Sequence, residues 1–186
     1  MFLDGTAALG TAEGDRFLRI KNLSGSQFND VLVGDSNDNV IFGGSGTPGE
    51  LADNAGEDTL TGGGKLFGGA DDDTLRGTAA FNTLSGGDGD DDLRGDFGFD
   101  MMNGGAGFDT VLYEGSDTGV FLSRTSGGTA GDAQGDSYFG IEKVIGSTHK
   151  DQFPGDGLDN VFLGRDGDDA LKGFGGNDRR GRGRYP

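Results

Sequence analysis

The 186-residue sequence has no cysteine, no tryptophan and one histidine, and each absence removes a chemistry. Without thiols there are no disulfides, no Fe–S clusters and no cysteine nucleophile. The one histidine, His149, cannot supply a three-ligand zinc site and falls at a turn position, where an exposed loop residue is expected. Proline is held to 3 residues, which excludes a collagen-like helix despite 41 glycines. Leu, Ile, Val and Phe make up about 22% of the chain, close to the level at which chains stay disordered. A compact apolar core of normal size is therefore not expected. No apolar run approaches the ~18 residues of a membrane-spanning helix. Basic residues are few, 15 against 32 acidic ones, and 27 of the acids are Asp. The formal net charge of −17 needs something other than a core to offset it, and Asp-rich composition points to a bound cation.

What is present is periodic. From Gly68 the chain reads GGADDDTLR, GTAAFNTLS, GGDGDDDLR, GDFGFDMMN and GGAGFDTVL, five abutting nonapeptides ending at Leu112. Position six is Asp73, Asn82, Asp91, Asp100 and Asp109; position eight is Leu75, Leu84, Leu93, Met102 and Val111. Upstream, GSQFNDVLV (25–33) and GDSNDNVIF (34–42) fit, with Asp30 and Asn39 at six. Downstream, units at 146–154, 155–163 and 164–172 place Asp151, Asn160 and Asp169 there, and 173–181 keeps Asp178 but has Arg180 at eight.

Positions seven to nine alternate outward, inward, outward, as in a short strand burying one side chain. Positions one to six are Gly, Asn and Asp, suited to tight turns. Two units make one coil of a flattened right-handed parallel solenoid, repeat n stacking on n+2 over a thin apolar ladder. The expected fold is thus all-β, a parallel β-roll.

GGDGDDDLR (86–94) and GGAGFDTVL (104–112) are almost complete matches to GGxGxDxUx, and the chain resembles the RTX (repeats-in-toxin) calcium-binding nonapeptide family. The resemblance implies Ca²⁺ between stacked turns, held by position-six side chains of repeats n and n+2. It places sites at Asp73–Asp91, Asp91–Asp109, Asn82–Asp100, Asp151–Asp169 and Asn160–Asp178, about five or more ions, with Asp30 and Asn39 as further candidates. Carbonyls of the Gly-rich positions would complete the shells: Gly68, Gly69, Gly86, Gly87, Asp88, Gly89, Gly104, Gly105, Gly107, Gly164 and Gly167. Such oxygens suit a hard cation. Sites using Asn82 or Asn160 lose a charge and are expected to be weaker.

The pattern has breaks. A unit read as 43–51 puts Pro48 at position six, and GGGKLF (62–67) is three residues short. Between them GEDTLT (56–61) supplies Asp58, able to share a site with Asp73; residues 43–57 are not counted among the sites. A longer period overlies the first: residues 14–43 align without gaps on 135–164, with twelve of thirty positions identical. That suggests a piece of a longer tandem protein. The expected organisation is an irregular β or capping segment at 1–24, a roll at 25–112 interrupted around 43–67, an irregular β segment at 113–145, a second roll block at 146–181 and a tail at 182–186. VFLSRT (120–125) and YFGIEKVIG (138–146) are read as strands continuing the solenoid.

Catalytic signatures are weak. GSGTPG (44–49) matches a dinucleotide fingerprint only by composition, and DSNDN (35–39) lacks the glycine and glutamate of an EF-hand. Paired carboxylates arise from the period itself, so binding is favoured over glycoside hydrolysis. The expected function is a non-enzymatic, calcium-binding structural module of a secreted bacterial protein, folding outside the cell and exported through type I secretion. Two alternatives stand beside it: a self-assembling or adhesive surface protein built from further copies, and an accessory module of an enzyme lying outside this chain. No nucleic-acid partner is expected, since the arginines of RRGRGRYP (179–186) sit on a strongly acidic chain.

Overall fold

The computed structural model describes residues 21–26, 28–44, 49–123 and 127–181. Of the expected capping segment at 1–24, residues 1–20 lie outside the described residues, as do Pro48 and the tail at 182–186. The rest is an all-β parallel solenoid of about eight turns.

Positions seven to nine form a three-residue strand in most units, while the strands at Gly64–Ala70, Thr83–Asp88 and Met101–Ala106 run on through the glycines of the next unit. One parallel sheet runs the length of the described chain. It comprises β1 (Asn22–Ser24), β3 (Val40–Phe42), β5 (Thr59–Thr61), β7 (Thr74–Arg76), β9 (Asp92–Arg94), β11 (Thr110–Leu112), β15 (Lys143–Ile145), β17 (Val161–Leu163) and β19 (Arg179–Gly181). The alternate strands build two shorter sheets. The first holds β2 (Val31–Val33), β4 (Gly49–Ala52), β6 (Gly64–Ala70), β8 (Thr83–Asp88), β10 (Met101–Ala106) and β14 (Ser137–Phe139). The second holds β12 (Phe121–Ser123), β13 (Gly127–Ala130), β16 (Gln152–Pro154) and β18 (Ala170–Lys172), with β13 antiparallel to β12.

The register is n to n+2. Leu75 pairs with Leu93 and Leu84 with Met102, each 18 residues apart. The middle residue of each strand turns inward, so Leu60, Leu66, Leu75, Leu84, Leu93, Met102 and Val111 are all fully buried. Burying one such side chain contributes about 1.5–3 kcal/mol, and each coil has only two. Toward the C-terminal end the rungs are larger, Phe153 against Phe162 with ring centroids 5.8 Å apart.

The structure changes two readings of the interrupted stretch. Leu51, not Glu50, pairs with Leu32, so the unit from Gly43 runs ten residues to Ala52. Position six is therefore Gly49 rather than Pro48. The following unit is a full nonapeptide, DNAGEDTLT at 53–61, with Asp53 in place of the usual glycine; Leu60 pairs with Leu75 at position eight. Only 62–67 is short: Lys65, Leu66 and Phe67 pair with Thr83, Leu84 and Ser85, leaving Gly64 at position six.

Residues 113–136 leave the two-strand rhythm to form the β12–β13 hairpin and a short 3-10 turn at Gly131–Ala133. The chain then rejoins both faces. Met102 pairs with Tyr138, and Val111 pairs with Val144. The stretch 137–145 is two strands separated by a turn: β14 ends the six-stranded sheet, and β15 carries the nine-stranded sheet on to β17 and β19.

Candidate metal centre

Position six lies where the turn passes into the strand, and its carboxylate spans two coils. The Asp73 amide donates to Asp91 Oδ1 at 2.9 Å, and the Asp91 amide to Asp109 Oδ1 at 2.9 Å. The same bond links Asp58 to Asp73 at 2.9 Å and Asn39 to Asp58 at 2.7 Å. On the other face the Asn82 amide donates to Asp100 Oδ1 at 2.8 Å. Near the C-terminus the Asp151 amide reaches Asp169 Oδ1 at 3.0 Å, and the Asn160 amide reaches Asp178 Oδ1 at 3.2 Å. Every expected pair is thus brought into adjacent coils.

The second oxygen is left over. Oδ2 of Asp58, Asp73, Asp91, Asp100 and Asp109 is buried without a hydrogen-bond partner. Native proteins rarely leave such an atom, because an unpaired buried acceptor costs about 1–3 kcal/mol and a charged one more. Glycine at position one makes room for it. A Cβ on Gly68 would stand 2.2 Å from Asp73 Oδ2 and 2.8 Å from the Gly86 carbonyl. On Gly86 it would meet Asp91 Oδ2 at 2.0 Å; on Gly104, Asp109 Oδ2 at 2.3 Å and the Gly140 carbonyl at 2.2 Å. A carboxylate oxygen and the next coil's carbonyl therefore converge over Gly25, Gly68 and Gly104. This all-oxygen set fits a hard divalent cation such as Ca²⁺.

Positions two and four stack just as tightly. Gly87 has φ +131°, and a Cβ there would lie 2.0 Å from the Gly69 carbonyl; one on Gly105 or Gly107 would lie 2.0 Å from the carbonyl of Gly87 or Gly89. Asp88 is a paired strand residue with an exposed side chain. Gly164 stands 2.2 Å from Asp169 Oδ2 by the same measure, while Gly167 faces the His149 carbonyl at 2.5 Å. The His149 side chain is exposed.

Burial is the main cause of an abnormal acidity. It pushes the Asp73 and Asp100 carboxyls up to about 7, and those of Asp58, Asp91 and Asp109 to about 6, against the pull of the amide that each accepts. Neighbouring carboxylates push in the same direction as burial. Among the described residues no salt bridge reaches any of these five acids.

Not every candidate presents a free oxygen. Asp151 uses both: Oδ1 accepts from the Val120 amide and Oδ2 from the Ser147 amide. Asp30 Oδ2 accepts from the Ser26 amide at 2.6 Å, and the residue stacked on it is Gly49. Asn82 turns Nδ2 rather than an oxygen toward the Gly77 cradle, 2.8 Å from a Cβ there. Asn160 leaves Oδ1 unpartnered and aimed at the Gly155 cradle. Asn39 is absorbed by its own loop: Oδ1 accepts from the Asp35 amide, and Nδ2 donates to Asp35 Oδ1 and the Asn37 carbonyl.

Three residues at the ladders escaped the sequence reading. Asp136 Oδ1 accepts from the Asp100 amide at 2.8 Å, and Glu142 Oε2 from the Asp109 amide at 3.0 Å. Both stand two residues before an inward-facing position, Tyr138 and Val144, which is the spacing of positions six and eight. Asp53 is the third, legible by running the 53–61 unit back to its full nine residues. Among the described residues no three acidic or histidine side chains form a metal-binding group, so one or two carboxylates must act with backbone carbonyls.

Comparison with known families agrees with the geometry. The RTX calcium-binding nonapeptide repeat matches in 4 copies, over residues 22–47, 67–102 and 154–179. No curated protein matches the chain. Repeats of this family bind calcium, the cation that the leftover carboxylate oxygens suit. The chain carries RTX calcium-binding nonapeptide repeats, and they wind into a parallel β-solenoid.

Proposed function

We propose that this module is a calcium-dependent folding unit of a secreted bacterial protein, with no catalysis of its own. The observation that carries the proposal is the row of buried, unpartnered Oδ2 atoms on Asp58, Asp73, Asp91, Asp100 and Asp109. Without a cation these ionised groups oppose the coil stacking that brings them together, and a ladder of two apolar side chains per coil is too thin to overcome them. In calcium-poor cytosol the chain stays unfolded and able to thread a secretion channel; in calcium-rich surroundings it folds. The resemblance to RTX repeats, a family typical of secreted proteins, supports that setting.

At ~1 mM Ca²⁺ and a Kd of about 10⁻⁴ M, each occupied site adds about 1.4 kcal/mol. Far-UV circular dichroism at neutral pH tests the dependence directly. The spectrum is expected to be unfolded in excess chelator and β-rich once calcium is added. A full β spectrum in chelator would sink the proposal.

A further inference from the structure

Asp53 stands where every other nonapeptide of the described chain has glycine. Positions one in the neighbouring coils are Gly34, Gly43, Gly62, Gly68, Gly77 and Gly86. In those with a position-six acid, the space over the glycine is filled from within the same unit: Asp73 over Gly68, Asp91 over Gly86. Over Gly34 it is not. That unit's position-six residue is Asn39, whose amide is tied into its own turn through Asp35 and Asn37. Instead, a Cβ on Gly34 would lie 2.1 Å from Oδ2 and 2.3 Å from Oδ1 of Asp53, a residue of the coil stacked above. Asp53 is 7% exposed and Asp58, in the same unit, 2%. Oδ2 of each has no hydrogen-bond partner. Asp53 thus fills the cradle left empty by Asn39.

We infer that Asp53 is a transposed calcium ligand, reaching from position one of the 53–61 unit into the cradle over Gly34 to form, with Asp58, the carboxylate pair that Asn39 cannot complete. Residues 43–57, which break the sequence pattern, then end in a working site. The pairing also explains why a position otherwise reserved for glycine holds an acid here. Asn82 and Asn160 receive no such help, since position one of the coil stacked on each is Gly95 or Gly173.

The inference rests on the module being a calcium binder, and the test separates the two. Calcium bound per chain is counted by equilibrium dialysis against calcium chloride, with circular dichroism reporting folding. Asp53→Asn should hold one ion fewer than the unmodified chain, or hold it at least ten-fold more weakly. The double variant Asn39→Asp with Asp53→Gly, which restores the ordinary arrangement, should return to the original number. Should Asp53→Asn fail to fold in calcium, recovery of folding by the double variant supports the inference. An unchanged count and affinity for Asp53→Asn, or a double variant that stays one ion short or unfolded, overturns it. No calcium bound by the unmodified chain would overturn the module reading as well.

Discussion

A carboxylate at position six has two oxygens and two tasks, and its neighbours decide how much its loss matters. Asp91 accepts the Asp73 amide, donates its own amide to Asp109, and lies between two acids whose Oδ2 atoms are free. Asp100 lies between Asn82, which turns Nδ2 to its cradle, and Asp136. Asp136 Oδ2 is already taken by the Tyr113 hydroxyl at 2.7 Å. Asp91→Ala therefore damages two carboxylate pairs with open oxygens, while Asp100→Ala damages pairs already compromised on both sides. The calcium midpoint for folding should rise more for Asp91→Ala, by a difference worth about 1–2 kcal/mol at ~1 mM Ca²⁺. Each variant loses one carboxylate, so net charge is matched. Equal shifts, or a larger one for Asp100→Ala, would count against the ladder.

Among the elements, the β12–β13 insertion poses a different problem: it ends the ladder that runs through Asn82 and Asp100. Asp136 closes that ladder with hydroxyls in place of a cation. Tyr113 donates to its Oδ2 at 2.7 Å, Tyr138 approaches the same oxygen at 3.4 Å, and the two hydroxyls bond each other. Tyr113→Phe leaves that buried oxygen poorly satisfied, so stability in saturating calcium should fall by about 1–2 kcal/mol, with a smaller loss for Tyr138→Phe. Urea unfolding in calcium measures both, and the calcium count should be unchanged. The regular coils were legible because the period fixes both the inward residue and the acid two places before it. The breaks were less so. The ten-residue unit at 43–52 hid its register because a single insertion moves Leu51 from the ninth position of the count to the eighth position in space. Asp136 was missed although GDAQGDSYF (131–139) keeps both the lead glycine and the acid-x-apolar spacing, because no regular unit adjoins it in the sequence. Glu142 was missed because Ser137 stands where the lead glycine would be, although EKV keeps the spacing. Asp53 was missed because a side chain at position one contradicts the template, and only the stack shows which coil it serves.

For the whole molecule, the raised acidities set how folding responds to pH. In chelator, Asp53, Asp73 and Asp100 titrate near 7 in the folded chain, and Asp58, Asp91, Asp109 and Asp136 near 6, all raised chiefly by burial from an ordinary 3.8. Between those limits the folded chain holds protons that the unfolded chain has released, so stability without calcium falls as pH rises. Ionising several of these acids together therefore opposes folding. Mild acid should therefore do part of the work of calcium: the calcium-free chain gains β structure as pH is lowered from about 8 to 5. In calcium the sign reverses, because protons now compete with the cation for the same oxygens, and stability falls toward pH 5. The two profiles, followed by far-UV circular dichroism with chelator or with millimolar calcium, should converge from opposite directions. A calcium-free chain that is equally unfolded at both ends of the range, or more structured at pH 8, would show that these carboxylates do not govern folding.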